Sequence, residues 1–373
     1  KKLMRGILRD EMGFDGVLIS DWAAIEETIY HGYCADKEDA AIRAVEAGVD
    51  IDMMTGIYCD NLCRLVREGK IPESLVDECC MRILELKNKL GLFENPYKDA
   101  DEEKEQQLIL CKEHRELARE AARKSFVLLK NEEQILPLDK TKKTAFIGPY
   151  VNSRNLMGSW SIIGEAKDIT TVEETMAVEE AGNNVVCCQG SPMLGAEVIL
   201  EGFTEENQAT YTPEEEAKML EEALEAAKKA DQVVLFIGED RLQSGEATSN
   251  ATIQIPQIQQ NLLERVAEIN ENIAVVLFSG RPLDLRDVQV KAKAILEVWM
   301  PGTEGAGAIT DVLYGRYNPT GKLPMSFPYC VGQVPVHYNE YATGRPHVEG
   351  KDKDRFRSKY LDIPNAPLYP FGY

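Results

Sequence analysis

The spacing of hydrophobic positions changes along the chain, and each change marks a predicted element. Residues 1–10 carry Leu3, Met4, Ile7 and Leu8 at helical intervals and predict an amphipathic helix before a strand. The apolar run 16–20 predicts that strand, and a second follows at 49–53. Helices are predicted over 37–47, 59–68 and 73–90. Two strands, each followed by helix, within 95 residues are the periodicity of a parallel α/β barrel. A complete barrel takes roughly 250 residues, so this pattern predicts only its last quarter. The stretch 95–107 is polar, contains Pro96 and predicts a linker into a helix over 114–125.

Beyond it the pattern predicts strands at 143–149, 184–189, 232–238, 273–279 and 294–300. Runs such as Val233-Val234-Leu235-Phe236-Ile237 alternate with nothing polar, as a sheet covered by helices on both faces requires. Thr212, Pro213 and Glu215 are N-cap, first helical residue and capping-box partner of a helix that buries Ala217, Leu220, Leu224 and Ala227. Another helix is predicted over 256–270, with Ile258, Leu262, Leu263 and Val266 inward. The expected fold class is α/β: an incomplete TIM-like barrel segment over 1–95, a linker and connecting helix over 96–123, an open layered α/β sandwich over 124–335, and a tail over 336–373.

Charge narrows the function. Asp and Glu number 63 against 42 for Lys and Arg, a net charge of -21 that repels phosphate backbones and anionic lipid. Nucleic-acid and membrane partners are therefore not expected, and no apolar run approaches the roughly 18 residues of a bilayer span. Nine cysteines, among them the adjacent pairs Cys79-Cys80 and Cys187-Cys188, read as reduced thiols and favour a cytoplasmic setting. Cys59 and Cys63 lie one helical turn apart without a third ligand nearby, so helix packing is expected there rather than zinc. The chain opens without an initiator Met or secretory pattern and stops within the aromatic segment 369–373, which predicts further polypeptide at both ends.

In α/β folds ligands gather at the carboxyl ends of strands. That singles out Asp21 after the first strand, and the loop 239–255 with its carboxylates Glu239, Asp240 and Glu246. Trp22 beside Asp21 offers a flat apolar face to a sugar ring, and two carboxylates suffice to hydrolyse a glycosidic bond. The competing reading is that Asp21 caps the next helix and Trp22 packs inward. The glycines of 302–307 fit neither phosphate-binding pattern and read as an ordinary helix start after Pro301. Asn250-Ala251-Thr252 is a formal glycosylation sequon. His31, His114, His337 and His347 stand singly and are expected to be structural or exposed.

These segments resemble glycoside hydrolase family 3. The resemblance rests on Gly16 to Trp22 with Ala47 to Met53, and on Ser125 to Asn131, Gly280-Arg281-Pro282, Pro301 to Gly305, Tyr317 to Pro324 and Tyr369 to Tyr373. It implies a retaining exo-β-glycosidase, a β-glucosidase above all, acting on a β-glucoside or oligosaccharide with no metal or organic cofactor. Asp21 falls at the family's nucleophile, Trp22 where an aromatic lines the sugar pocket, and Glu246 at the acid/base of the broad-specificity β-glucosidases. After that glutamate the family often has an Arg, whereas this chain has Ser249-Asn250. The family's residues that grip the sugar hydroxyls come from earlier barrel strands, and nothing here matches them. The resemblance thus implies that these 373 residues alone are inactive or nearly so, and that 1–95 is rearranged, poorly ordered or completed by a neighbouring copy in a homo-oligomer. A β-xylosidase or other family-3 exo-glycosidase is the nearer alternative, and a non-catalytic carbohydrate- or partner-binding module the more distant one.

Overall fold

The computed structural model describes residues 1–161, 164–195, 211–348, 350 and 354–373. The chain forms two compact units, Lys1–Gln106 and Gln107–Tyr373.

The first unit is helical. Its opening amphipathic helix is a π-helix, Lys2–Glu11, followed by α1 (Ala24–Tyr30), α2 (Lys37–Ala47), α3 (Ile57–Arg67) and α4 (Glu73–Lys89). The sequence pattern missed α1 because no polar cap announces it: its N-cap is Ala23, in left-handed backbone with φ 54°. Ile25, Ala40, Ala41, Val45, Ile57, Leu65 and Ile71 form a small core. The strands predicted at 16–20 and 49–53 reduce to one parallel bridge, Ile19 to Ile51. Asp50 explains the shortening, since its buried carboxylate accepts the Leu18 N–H at 2.8 Å, a donor that a longer ladder would need. The same carboxylate is held between Arg9 and Arg82, each at 2.8 Å.

Within the stretch read as a linker a short helix forms, α5 (Glu102–Leu108). Glu102, Glu103 and Glu105 favour its positive N-terminal end, and Asp101 Oδ1 accepts the Lys104 N–H at 2.9 Å. The next helix, α6 (Lys112–Ser125), packs within the second unit.

That unit is built on one six-stranded sheet: β1 (Val127–Asn131), β2 (Thr144–Ile147), β3 (Val185–Cys188), β4 (Gln232–Gly238), β5 (Ile273–Phe278) and β6 (Ala294–Glu297), in the order β1-β6-β5-β4-β2-β3. All neighbours are parallel except β1 on β6. Five strands lie where the apolar runs place them; β1, at the edge and bulged after Leu128, lacked a clean pattern. Along β4 the side chains alternate between faces. Val234 and Phe236 join a core with residues of α6, α7 (Val172–Ala177) and α11 (Gly305–Leu313). Val233, Leu235 and Ile237 join the opposite core beneath α8 (Pro213–Lys229), α9 (Gln257–Ala267) and α10 (Arg286–Lys291).

Both capping-box bonds between Thr212 and Glu215 form at the start of α8. Its buried residues are Ala223 and Ala227, with Leu220 and Leu224 half-buried, whereas Ala217 is exposed one turn too early to reach the sheet. On α9, Gln259 is buried beside Leu262, Leu263 and Val266, and Ile258 only partly so. Helix α6 is riveted to α11 by Arg119 and Arg123, which pair with the mostly buried Asp311 at 2.8 and 3.2 Å. The chain end returns to the sheet, where Tyr369 pairs with Phe327 and the Tyr373 hydroxyl donates to Leu129 O at 3.1 Å.

Candidate active site

Asp21 stands directly after the Ile19 bridge, on a turn fixed by Ser20. The Ser20 N–H donates to Ile51 O and its Oγ accepts the Met53 N–H, both at 2.9 Å. The carboxylate of Asp21 is solvent-exposed and accepts the N–H of Trp22 at 2.7 Å. It does not cap α1, whose N-cap, Ala23, makes no side-chain bond. Nor does Trp22 pack inward, being 64% exposed. Both residues are thus presented outward from the first unit.

The other carboxylates belong to the second unit, at the end of β4, and separate into two kinds. Glu239 and Asp240 are buried. Glu239 is gripped by Arg281, whose Nε lies 3.1 Å from both carboxylate oxygens. Burial pushes the Glu239 carboxyl above its ordinary value, and Arg281 opposes that only in part. Asp240 caps a short turn through the Leu242 N–H at 2.9 Å and accepts the Asn155 amide at 2.7 Å. Burial raises its carboxyl as well, against the hydrogen bonds that favour the charged form. Glu246 is the opposite case: exposed, and without a hydrogen bond or ion pair among the described residues.

The loop carrying Glu246 is braced at its base. Gln259 closes the end of β4, taking the Gly238 N–H on its Oε1 at 2.8 Å and donating to Gly238 O at 2.9 Å. Arg281 ties entry to exit by adding a bond to Thr252 O at 3.2 Å. Asn250 donates to Gln243 O at 2.6 Å, which closes the loop internally. The sequon amide is therefore already engaged. Ser159 packs against Gly245, and the adjacent Trp160 is 68% exposed.

Sequence reasoning missed the roles of Gln259 and Arg281. Arg281 lies in the Gly280-Arg281-Pro282 segment after β5, which is the available signal; a glutamine inside a helical face gives none. His31, His114 and His337 are exposed and His347 is half-buried. Helix α11 starts plainly after Pro301, with Glu304 as N-cap. Cys59 and Cys63 are exposed rather than packed. Among the described residues no three His, Cys, Asp or Glu side chains gather as metal ligands.

In each unit an exposed candidate carboxylate follows the carboxyl end of a strand or bridge: Asp21 in the first, Glu246 in the second. The chain belongs to glycosyl hydrolase family 3: the family's N-terminal domain matches residues 1–86 and its C-terminal domain residues 126–373. It is 41% identical over its whole length to a periplasmic beta-glucosidase of Salmonella typhimurium, covering 49% of that protein. It is 33% identical to a beta-xylosidase of Formosa agariphila, covering 100% of this chain and 50% of that one. Among solved structures, a mutant beta-glucosidase from Listeria innocua in complex with laminaribiose matches with a TM-score of 0.89 and 41% identity, over 100% of this chain and 48% of that one. The chain spans about half the length of these relatives.

Proposed function

We propose that these residues supply both catalytic carboxylates of a retaining β-glucosidase that releases terminal β-linked glucose. Asp21 attacks the anomeric carbon and Trp22 stacks on the sugar. Glu246 protonates the departing oxygen, then activates the water that hydrolyses the glycosyl-enzyme ester. Residues 1–95 are read as barrel material, 96–123 as the connection, 124–335 as the sandwich domain and 336–373 as a tail. Because the chain spans about half of its relatives, activity is assigned to a polypeptide that also supplies the sugar-gripping residues. The 373 residues alone are expected to turn over little, since positioning accounts for roughly 7 to 11 kcal/mol of barrier reduction.

The observation that carries this reading is the contrast among the loop carboxylates. Glu239 and Asp240 are consumed by structure, and Glu246 alone of the three is free to exchange protons with a ligand. The likeness to a beta-xylosidase keeps a pentose at the same site as the second reading.

In the polypeptide that includes the remainder of the family's N-terminal domain, Asp21→Asn should lower aryl β-glucoside hydrolysis by several orders of magnitude. Glu246→Ala should slow substrates with poor leaving groups far more than activated aryl glucosides, and azide should restore turnover as the β-glucosyl azide. Rescue in Glu239→Ala but not in Glu246→Ala would move the acid/base role to Glu239.

A further inference from the structure

A third glutamate lies at the carboxyl edge of the sheet. Glu297 ends β6, two strands from Glu239, and is completely buried. Its Oε1 lies 3.2 Å from Ser279 Oγ, one residue past β5, and accepts the Trp299 N–H at 2.7 Å. Its Oε2 is buried with no hydrogen-bond partner. No cation pairs with it among the described residues. Arg281, the nearby guanidinium, is committed to Glu239.

Both groups bonded to Glu297 lead to the Glu246 loop. Gly280, next to Ser279, has no room for a Cβ because the Ser244 hydroxyl lies there. Met300, next to Trp299, packs on Gly158, where a Cβ would stand 3.3 Å from the Met300 Cβ. The following residue, Ser159, fills the space over Gly245. Ser244 and Gly245 immediately precede Glu246. Trp299 is itself held in left-handed backbone, φ 55°, with its N–H turned onto the carboxyl.

We propose that Glu297 is a positioning residue for Glu246: a buried carboxyl that sets the ends of β5 and β6 against which the base of the Glu246 loop packs. This rests on the reading of Glu246 as the acid/base. In the neutral form Oε1 keeps the bonds donated by Ser279 and Trp299, and the proton sits on Oε2, so that the unpaired group is an uncharged hydroxyl, cheaper to bury than a charged oxygen. Ionisation would place a full charge on an oxygen with no donor, facing the like charge of Glu239. Burial first, with that repulsion added, raises the Glu297 carboxyl to about 8 despite the bonds from Trp299 and Ser279. The charged groups bearing on it are Glu239 and, through it, Arg281; Tyr150, stacked on Phe278, donates its hydroxyl to Glu239 O.

Amide hydrogen exchange on the 373-residue chain tests this, with protection factors normalised to intrinsic exchange at each pH. At pH 9 about ten ionised molecules exist for each neutral one if the group titrates at 8. Protection across 243–250 should therefore fall from pH 6 to pH 9 in the wild type, by up to about a hundredfold where opening returns the carboxyl to its ordinary value of 4.5. Glu297→Gln, which cannot ionise, should keep its protection flat. A flat wild-type profile, or the same fall in Glu297→Gln, overturns the proposal. Should the Gln variant not fold, the carboxyl carbon of Glu297 in ¹³C-glutamate-labelled wild type decides: titration together with the loop amides supports the role, and titration near 4.5, the ordinary glutamate value, ends it. Exchange does not depend on turnover, so failure of azide rescue in Glu246→Ala would remove the catalytic reading and leave this result standing.

Discussion

Glu239 and Glu246 are seven residues apart in one loop, yet their surroundings give them opposite energetic roles. Arg281→Ala leaves Glu239 buried without its cation, a change that typically costs about 3–5 kcal/mol. Glu246→Ala removes an exposed side chain with no partner and should stay within about 0.5 kcal/mol of wild type. Urea unfolding of the chain compares them, and equal losses would contradict the division between brace and free acid. The Arg281→Ala penalty also has a pH sign. Burial already raises the Glu239 carboxyl, and without Arg281 nothing offsets that rise. Such a group costs nothing while protonated in both states and destabilises as pH climbs from the unfolded value through the folded one. The penalty should therefore be smaller at pH 5 than at pH 8. Strand-end position and motif single out Asp21, Trp22 and Glu246 as candidates in the sequence. Glu239's partner was not, because Arg281 lies 42 residues away and only the parallel pairing of β4 with β5 brings them together.

At the level of elements, the apolar runs of 232–238 and 273–279 located strands well because both faces of each are covered, leaving little room for alternative registers. The pattern failed where a side chain overrules the backbone. The runs at 16–20 and 49–53 have strand composition, but Asp50 takes the Leu18 N–H and the pair shrinks to a bridge. Gln259 is the reverse case, a polar residue on the inner face of α9 that terminates β4 by satisfying both backbone groups of Gly238. Gln259→Leu keeps the bulk and strands a buried N–H and C=O, at about 1–3 kcal/mol each where no water replaces the bond. The expected loss is about 2–4 kcal/mol in urea unfolding. A neutral effect would show that the strand end is held by other means.

For the molecule as a whole, the consequential feature is the exposed stretch from 94 to 110 between the two cores. It offers Lys98 and Lys104 to trypsin, while the second unit encloses its sheet between two large clusters of buried side chains. Limited digestion should cut there first and leave a resistant product beginning near residue 107 that keeps its circular-dichroism signal. The smaller core of the first unit should open and degrade sooner. Early cleavage at Lys130 in β1 or Arg265 in α9 would mean that the second unit does not stand by itself.

The loop between β4 and α9 is anchored at both mouths by one guanidinium, through Glu239 on entry and Thr252 O on exit, and Asp284 N holds Ile253 O at 2.7 Å just beyond. The exposed tip between those anchors, from Glu246 onward, is a cassette. The tip around Glu246 can therefore vary without disturbing the sheet beneath it. The same property makes 246–251 a graft point where an engineer can trade sequences between family members while the frame that receives them stays as it is.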